Sequence, residues 1–380
     1  LKTIVILSTE PWGKMMLSKM HYAAELAAKG HTVYFVNPPR QSSNKENVYI
    51  NDSIAIPHIT IINTQPVKQG LLLRHKFPGL YRQLTKSYVK KIKKITGNSI
   101  DELWCFNPNM FTAPKQFKAK KTLLMLYDFY KGKHIEAACK NSDALISITH
   151  VAYDFYKRAD KPSLLLSHGL AGSFAVIAEE KLKKNNFIVQ HGKKIKIGYT
   201  GNLLRHGMNT LLAKKLIEKN PQVEFHFWGP DSLKENNVSG LSEASQQHLD
   251  FLQFLKKSVS VVLHGVKAVN ELAEEMQAMD AFIFLYSAKT DINAASNSHK
   301  ILEYLSTGKA IISTFVSQYQ YNTLLVMSKD EASFLATFEK VISSLPEYNA
   351  PEFQKKRIAF ALENTYHTQI ERINRFIKTI

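Results

Sequence analysis

The chain has 380 residues, 44% of them apolar, and a formal charge of +18. That length points to two domains and the apolar content excludes wholesale disorder. Its two cysteines, Cys105 and Cys139, form neither a disulfide framework nor a zinc-ligand spacing, so no metal and a cytoplasmic setting are expected. The charge calls for an acidic partner: nucleic acid, anionic lipid or an anionic small molecule.

The elements alternate. Thr3–Ser8 reads as a buried strand; the apolar run Leu1–Leu7 is too short for a signal peptide. The loop Thr9–Gly13 follows, then a helix over 15–29, closed by Gly30, and a strand to Val36 that Pro38 and Pro39 end. Strand, helix and strand in that order make a βαβ unit and imply a parallel sheet. Further strands are expected at 102–106, 122–127, 144–148 and 162–166. The pattern restarts at Lys193: strands at 193–199, 223–228, 261–264, 281–286 and 309–313 alternate with helices at 209–219, 246–257, 269–279 and 299–307. A helical tail completes the chain. No stretch approaches the ~18–20 apolar residues that cross a bilayer.

Asn297–Thr314 is the most informative segment. A polar loop enters a helix whose free amides and dipole suit a pyrophosphate. Ser298 is placed as its cap, Lys300 adds a positive charge, and Glu303 lies on the same face to accept from ribose hydroxyls. The same residues also suit a plain solvated helix start, and on residue types alone that reading is ahead, because such starts are common.

The order of the motifs resembles the large retaining family of bacterial polysaccharide-synthesis glycosyltransferases with the GT-B fold. Glu303 through Gly308 to Thr314 resembles its donor-site helix, glycine turn and strand. Lys196–Arg205, Phe225–Pro230 and Val261–Gly265 resemble the strands and glycine loops of its C-terminal domain, and Thr9–Gly13 with Gly30–Val33 its N-terminal loop and strand. Ser142–Thr149 followed by Leu166–Gly169 fits the stretch before its linker. The resemblance implies an α/β chain of two Rossmann-like domains facing across a cleft. Residues 1–170 would form the acceptor-side domain, 171–192 a linker, 193–350 the nucleotide-sugar domain, and 351–380 a helix crossing back to the first domain.

It also implies site residues. Gly13, His168, Gly201, Arg205, His264, Ser298, His299, Lys300 and Glu303 would hold the donor, a UDP- or GDP-sugar bound as substrate with no cofactor. Arg205 would stabilise charge on the leaving diphosphate. Asp128, after Tyr127, stands where the family carries a His-Asp pair and is the catalytic candidate. The chain departs from the family at Ala295, where a second Glu is frequent, and at Tyr366, where many relatives carry Trp. No Asp-x-Asp occurs, which fits metal-independent handling of phosphate.

From Ser53 to Ile100 the chain has no acidic residue and nine cations, interleaved with Leu71, Leu72, Leu73, Phe77, Leu80, Tyr81, Leu84, Tyr88, Val89 and Ile92. That pattern suits either an anionic membrane surface beside a saccharide or lipid-linked acceptor, or an ordinary solvated helix face. Cytoplasmic protein at the inner face of the cell membrane is the matching location. A sugar-nucleotide epimerase or hydrolase on the same scaffold stays open. Nucleic acid is not expected, since no recognised binding module organises the charge.

Overall fold

The computed structural model describes residues 1–13, 16–51, 55–67, 70–129, 131–157, 160–190, 192–204, 207–231, 246–286 and 297–380. The chain forms two compact units: Leu1–Ser167 with Gln369–Ile380, and His168–Thr368.

In the first unit, β1 (Thr3–Leu7) leads to α1 (Ser18–Ala28) and β2 (Thr32–Val36). The helix begins later than its periodicity suggests, after Leu17, which offers no capping side chain. β3 (Val48–Ile50) and β4 (Ile59–Thr64) follow, then α2 (Gly70–Lys76) and α3 (Pro78–Ile95). The unit continues with β5 (Glu102–Cys105), β6 (Lys121–Leu126), α4 (Lys133–Lys140), β7 (Ala144–Ser147), α5 (His150–Tyr156) and β8 (Ser163–Leu165). Among the described residues the sheet order is β3-β4-β2-β1-β5-β6-β7-β8, parallel except for β3 against β4. The central strands are apolar on both faces, as a sheet covered by helices requires.

The second unit opens with α6 (Gly172–Lys184), which occupies most of the span expected as linker. Phe174, Ala175 and Ala178 bury it in the second core, which explains why the segment is ordered as helix. Then come β9 (Lys196–Thr200), α7 (Thr210–Lys219), β10 (Glu224–Trp228), α8 (Gln246–Lys257), β11 (Val261–Leu263), α9 (Val269–Glu275) and β12 (Ala281–Phe284). The unit ends with α10 (His299–Ser306), β13 (Ala310–Ser313), β14 (Val326–Met327), α11 (Phe334–Ser343), α12 (Leu345–Tyr348) and α13 (Pro351–Leu362). The order β11-β10-β9-β12-β13-β14, all parallel, reverses between β9 and β12. That reversal is the switch point at whose carboxyl side ligands bind in such sheets.

The tail is two helices rather than one. Tyr366 packs on Gly169, where a Cβ would come within 2.4 Å of its ring, and its amide donates to Leu170 O at 3.0 Å. α14 (Tyr366–Ile377) starts there and joins the first unit from Gln369 onward, with Glu371 accepting from Lys29 Nζ at 2.6 Å.

Candidate functional site

At the carboxyl edge of the second sheet, β9 and β10 end in Gly201 and Gly229, with φ of +144° and +145°. Gly201 N donates to Trp228 O at 2.8 Å, and Gly229 N to Gly265 O at 2.9 Å. A Cβ on Gly229 would meet Gly201 O at 1.9 Å, so the two turns close onto each other only as glycines. The space a side chain would take is filled at both turns, by Gly201 O beside Gly229 and by Lys300 Nζ beside Gly201.

α10 is pinned to this edge by a side chain that residue types did not single out. Tyr304 Oη accepts from Thr200 N at 2.8 Å, and its ring stacks on Phe282 with centroids 4.6 Å apart. One turn earlier, Lys300 reaches over Gly201: a Cβ there would lie 2.0 Å from its Nζ. The ammonium donates to Tyr286 Oη at 2.7 Å and lies 5.6 Å and 4.9 Å from the ring centroids of Tyr199 and Tyr286. Among the described residues no carboxylate pairs with it within 4 Å. It is a cation held by π faces and a phenol, with a coulombic pull on the Glu303 carboxyl one turn on.

Glu303 is 14% exposed, and His299 Nε2 lies 3.9 Å from its Oε1. Burial pushes the Glu303 carboxyl up to about 7, with the Lys300 charge working against that rise. His168, 7% exposed, meets the His299 ring edge-on at 5.8 Å. The structure thus brings His168, Gly201, His299, Lys300 and Glu303 together in one group. Ser298 stands at the N-cap position, but its side chain makes no capping hydrogen bond, contrary to expectation. Its backbone oxygen instead accepts from Ile301 N at 3.1 Å.

His264 belongs to a neighbouring cluster at the ends of β10 and β11. Its Nε2 lies 2.9 Å from His226 Nδ1, and its ring stacks on Trp228 at 4.4 Å. His226 Nε2 faces Glu224 Oε1 at 2.8 Å, while Trp228 Nε1 donates to Glu275 at 2.6 Å. Burial holds both imidazoles below the usual histidine range. Burial also opposes the Glu275 charge, but hydrogen bonds from Lys267 and Trp228 outweigh it and keep that carboxyl low. Arg205, Ala295 and the rest of the loop before Asn297 lie outside the described residues.

Gly13 and Asp128 are in the first unit, at the carboxyl ends of β1 and β6. The loop carrying Gly13 is fixed by Trp12 N donating to Asn37 Oδ1 at 2.8 Å and by an ion pair of Lys19 with Glu10. Asp128 is half-buried after β6. Lys19, Glu10 and Asn37 escaped notice because no periodic or motif signal marks a loop's internal hydrogen bonds.

No family model matches the chain, and no curated protein matches it. Solved structures do match. Sucrose-phosphate synthase from Thermosynechococcus elongatus is 13% identical with a TM-score of 0.66, over 100% of both chains. Anabaena HepE, solved with UDP and glucose, is 12% identical with a TM-score of 0.67, over 100% of both. An E. coli trehalose-6-phosphate protein bound to UDP-2-fluoro glucose is 10% identical with a TM-score of 0.69, over 100% of this chain and 99% of that one. Identities this low carry architecture alone. On that architecture, two parallel-sheet α/β domains matched along their full length, the chain has the GT-B fold.

Proposed function

We propose that the chain is a glycosyltransferase that moves a sugar from a nucleotide-sugar donor to a saccharide acceptor. The observation that carries this reading is the Lys300 ammonium seated over the Gly201 turn, one helical turn from the largely buried Glu303 carboxyl. A nucleoside diphosphate satisfies all three features. Its phosphates accept from Lys300 at the N-terminal end of α10, and its ribose hydroxyls donate to Glu303. UDP is the first base to test, since UDP or a UDP-sugar sits in the solved HepE and E. coli relatives of this fold.

In this reading Arg205 joins Lys300 on the diphosphate, so that charge developing on the leaving group meets the chain's own cations rather than a metal. His168 and His299 border the phosphates, Ser298 stands beside them at the start of α10, and His264 lines the side toward the base. Gly13 is a further donor-binding candidate, and Asp128 is the catalytic carboxylate of this reading. The acceptor is a phosphorylated saccharide, either a free sugar phosphate or a sugar carried on a lipid phosphate. Sucrose-phosphate synthase is named for the first kind of chemistry, and the basic stretch before Ile100 fits both. The protein works in the cytoplasm.

Calorimetric titration with UDP, GDP and their glucose forms tests the donor half. Lys300→Ala and Glu303→Ala should each weaken binding at least tenfold, on the order of the 1.4 kcal/mol a charge-assisted hydrogen bond supplies. Equal binding by parent and both variants would defeat the reading.

A further inference from the structure

The carboxyl end of α6 and the segment after it enclose a cavity of about 220 Å³ in the second unit. Ile177, Lys181 and Lys184 line it from the helix, Asn186 and Ile188 from the segment, and Gln277 from the short 3₁₀ turn Met276–Ala278. Spacings of four and three put Ile177, Lys181 and Lys184 on one stripe of α6, so the two lysines face the same space. Ile188 is fixed through its carbonyl, which accepts from Lys309 Nζ and, at 3.0 Å, from Gln354 Nε2. Lys309 directly precedes β13, so the cavity lies at the amino edge of the second sheet, the edge opposite Gly201 and Lys300.

The cations beside this cavity are held by carbonyls rather than by counter-ions. Lys181 Nζ donates to Thr307 O at 2.6 Å, and Lys309 Nζ to Ile188 O. Among the described residues no carboxylate lies within 4 Å of either nitrogen. Burial pushes both ammonium groups down to about 8, and the Lys181 charge adds to the fall at Lys309. An ammonium carries three N–H donors and a carbonyl engages one, so Lys181 can take an anion while keeping its hold on α10. Lys184 sits at the exposed rim, 3.0 Å from the Glu180 carboxylate.

We propose that this cavity is a second ligand site, taking a small organic dianion whose charges rest on Lys181 and Lys184. Two ammonium groups on one helical stripe match two negative charges, and Ile177 and Ile188 offer an apolar wall to a short carbon body. The amides of Asn186 and Gln277 serve its remaining polar atoms. The volume falls below the ~300 Å³ at which sites for drug-sized ligands begin, which limits the occupant to a few carbons. A phosphate ester and a dicarboxylate share this chemistry.

Thermal melting of the full chain with glycerol 3-phosphate, succinate or lactate tests the site. At millimolar concentration at least one of the two dianions should raise the melting temperature by about 2 °C or more, and the monoanion lactate by clearly less. The larger of the two dianion shifts tells phosphate ester from dicarboxylate. In calorimetric titration with that dianion, Lys181→Met should weaken binding at least tenfold. Lys184→Gln and Glu180→Gln change exposed side chains and leave the fold intact; the first should weaken binding and the second tighten it, each about two- to fivefold. Opposite responses to two neutralised rim charges are what an anion site gives and a purely structural contact does not. Lys300→Ala should bind the dianion as the parent does, which sets this site apart from the nucleotide site. No shift with either dianion, an equal shift with lactate, or binding lost in Lys300→Ala and kept in Lys181→Met overturns the proposal. So does an affinity that Lys184→Gln and Glu180→Gln move in the same direction or not at all.

Discussion

Glu303→Gln tests whether the carboxyl is strained before any ligand arrives. The group titrates ordinarily near 4.5 and is pushed up to about 7 by burial. Ionising it in the folded chain therefore costs about 3 kcal/mol, at ~1.4 kcal/mol per tenfold. The sign follows from proton binding. Between pH 4.5 and 7 the folded state keeps a proton that the unfolded state has lost, so this group's contribution to stability falls as pH rises through that window and levels off above it. Glutamine is neutral in both states and has no such slope. Urea unfolding of both proteins, without nucleotide, at pH 5 and pH 8 isolates the group, because every other titration is shared. The variant should gain stability relative to the parent by about 3 kcal/mol as an upper figure between those two pH values. UDP binding should at the same time weaken at least tenfold, because an amide is a poorer acceptor than a carboxylate. A stability difference that is the same at both pH values would refute the argument.

Three further outcomes follow from the same geometry. Tyr304→Phe removes the acceptor of the Thr200 amide and should cost about 1–3 kcal/mol in thermal or urea unfolding, with weaker nucleotide binding because α10 loses its anchor. Gly201→Ala puts a Cβ where Lys300 Nζ lies, at a φ of +144°, and should reduce both melting temperature and UDP affinity. For the His226–His264 pair, burial holds both folded pKa values below the ordinary 6.5, so the unfolded state binds protons first and stability should fall as pH drops below about 6.5. His226→Gln/His264→Gln should flatten that acid limb in pH-dependent melting; an unchanged limb would mean the pair does not titrate as its packing requires.

Much of the architecture was legible because its strands are short, apolar and bracketed by turn residues. β1, β5 and β12 each have at least four buried positions in a row, a signal that survives without any alignment. Weaker elements escaped for identifiable reasons. β3 pairs antiparallel on the outside of β4, and β14 has two residues, so neither has a run long enough to read. In α6 the lysines Lys181, Lys183 and Lys184 fit a linker or a surface helix alike, while Phe174 and Ala178 anchor the helix. Lys181 in fact donates to Thr307 O at 2.6 Å and is itself largely packed away, a role that charge counting assigns to solvent.

The site was legible in its charged members and not in what holds them. Lys300 and Glu303 stand out by type and spacing, yet type and spacing alone favour a solvated helix start. What separates the two is Tyr199, Tyr286 and Tyr304, contributed by β9, the end of β12 and α10, whose meeting depends on the strand reversal between β9 and β12. The phenols and ring faces hold the Lys300 ammonium, and burial leaves Glu303 short of the hydration that would keep it ionised at its usual pH. Glu303 is therefore costly in the charged form when no ligand is present. In the proposed reading a diphosphate meets Lys300 and ribose hydroxyls relieve Glu303, so a ligand carrying both should bind more tightly than the sum of phosphate and nucleoside offered separately. Bound hydroxyls favour the ionised Glu303, and uptake of UDP near pH 6.5 should release a fraction of a proton, read as a dependence of the calorimetric heat on buffer ionisation enthalpy that Glu303→Gln abolishes. No such dependence in the parent would mean that Glu303 is not where the ribose sits.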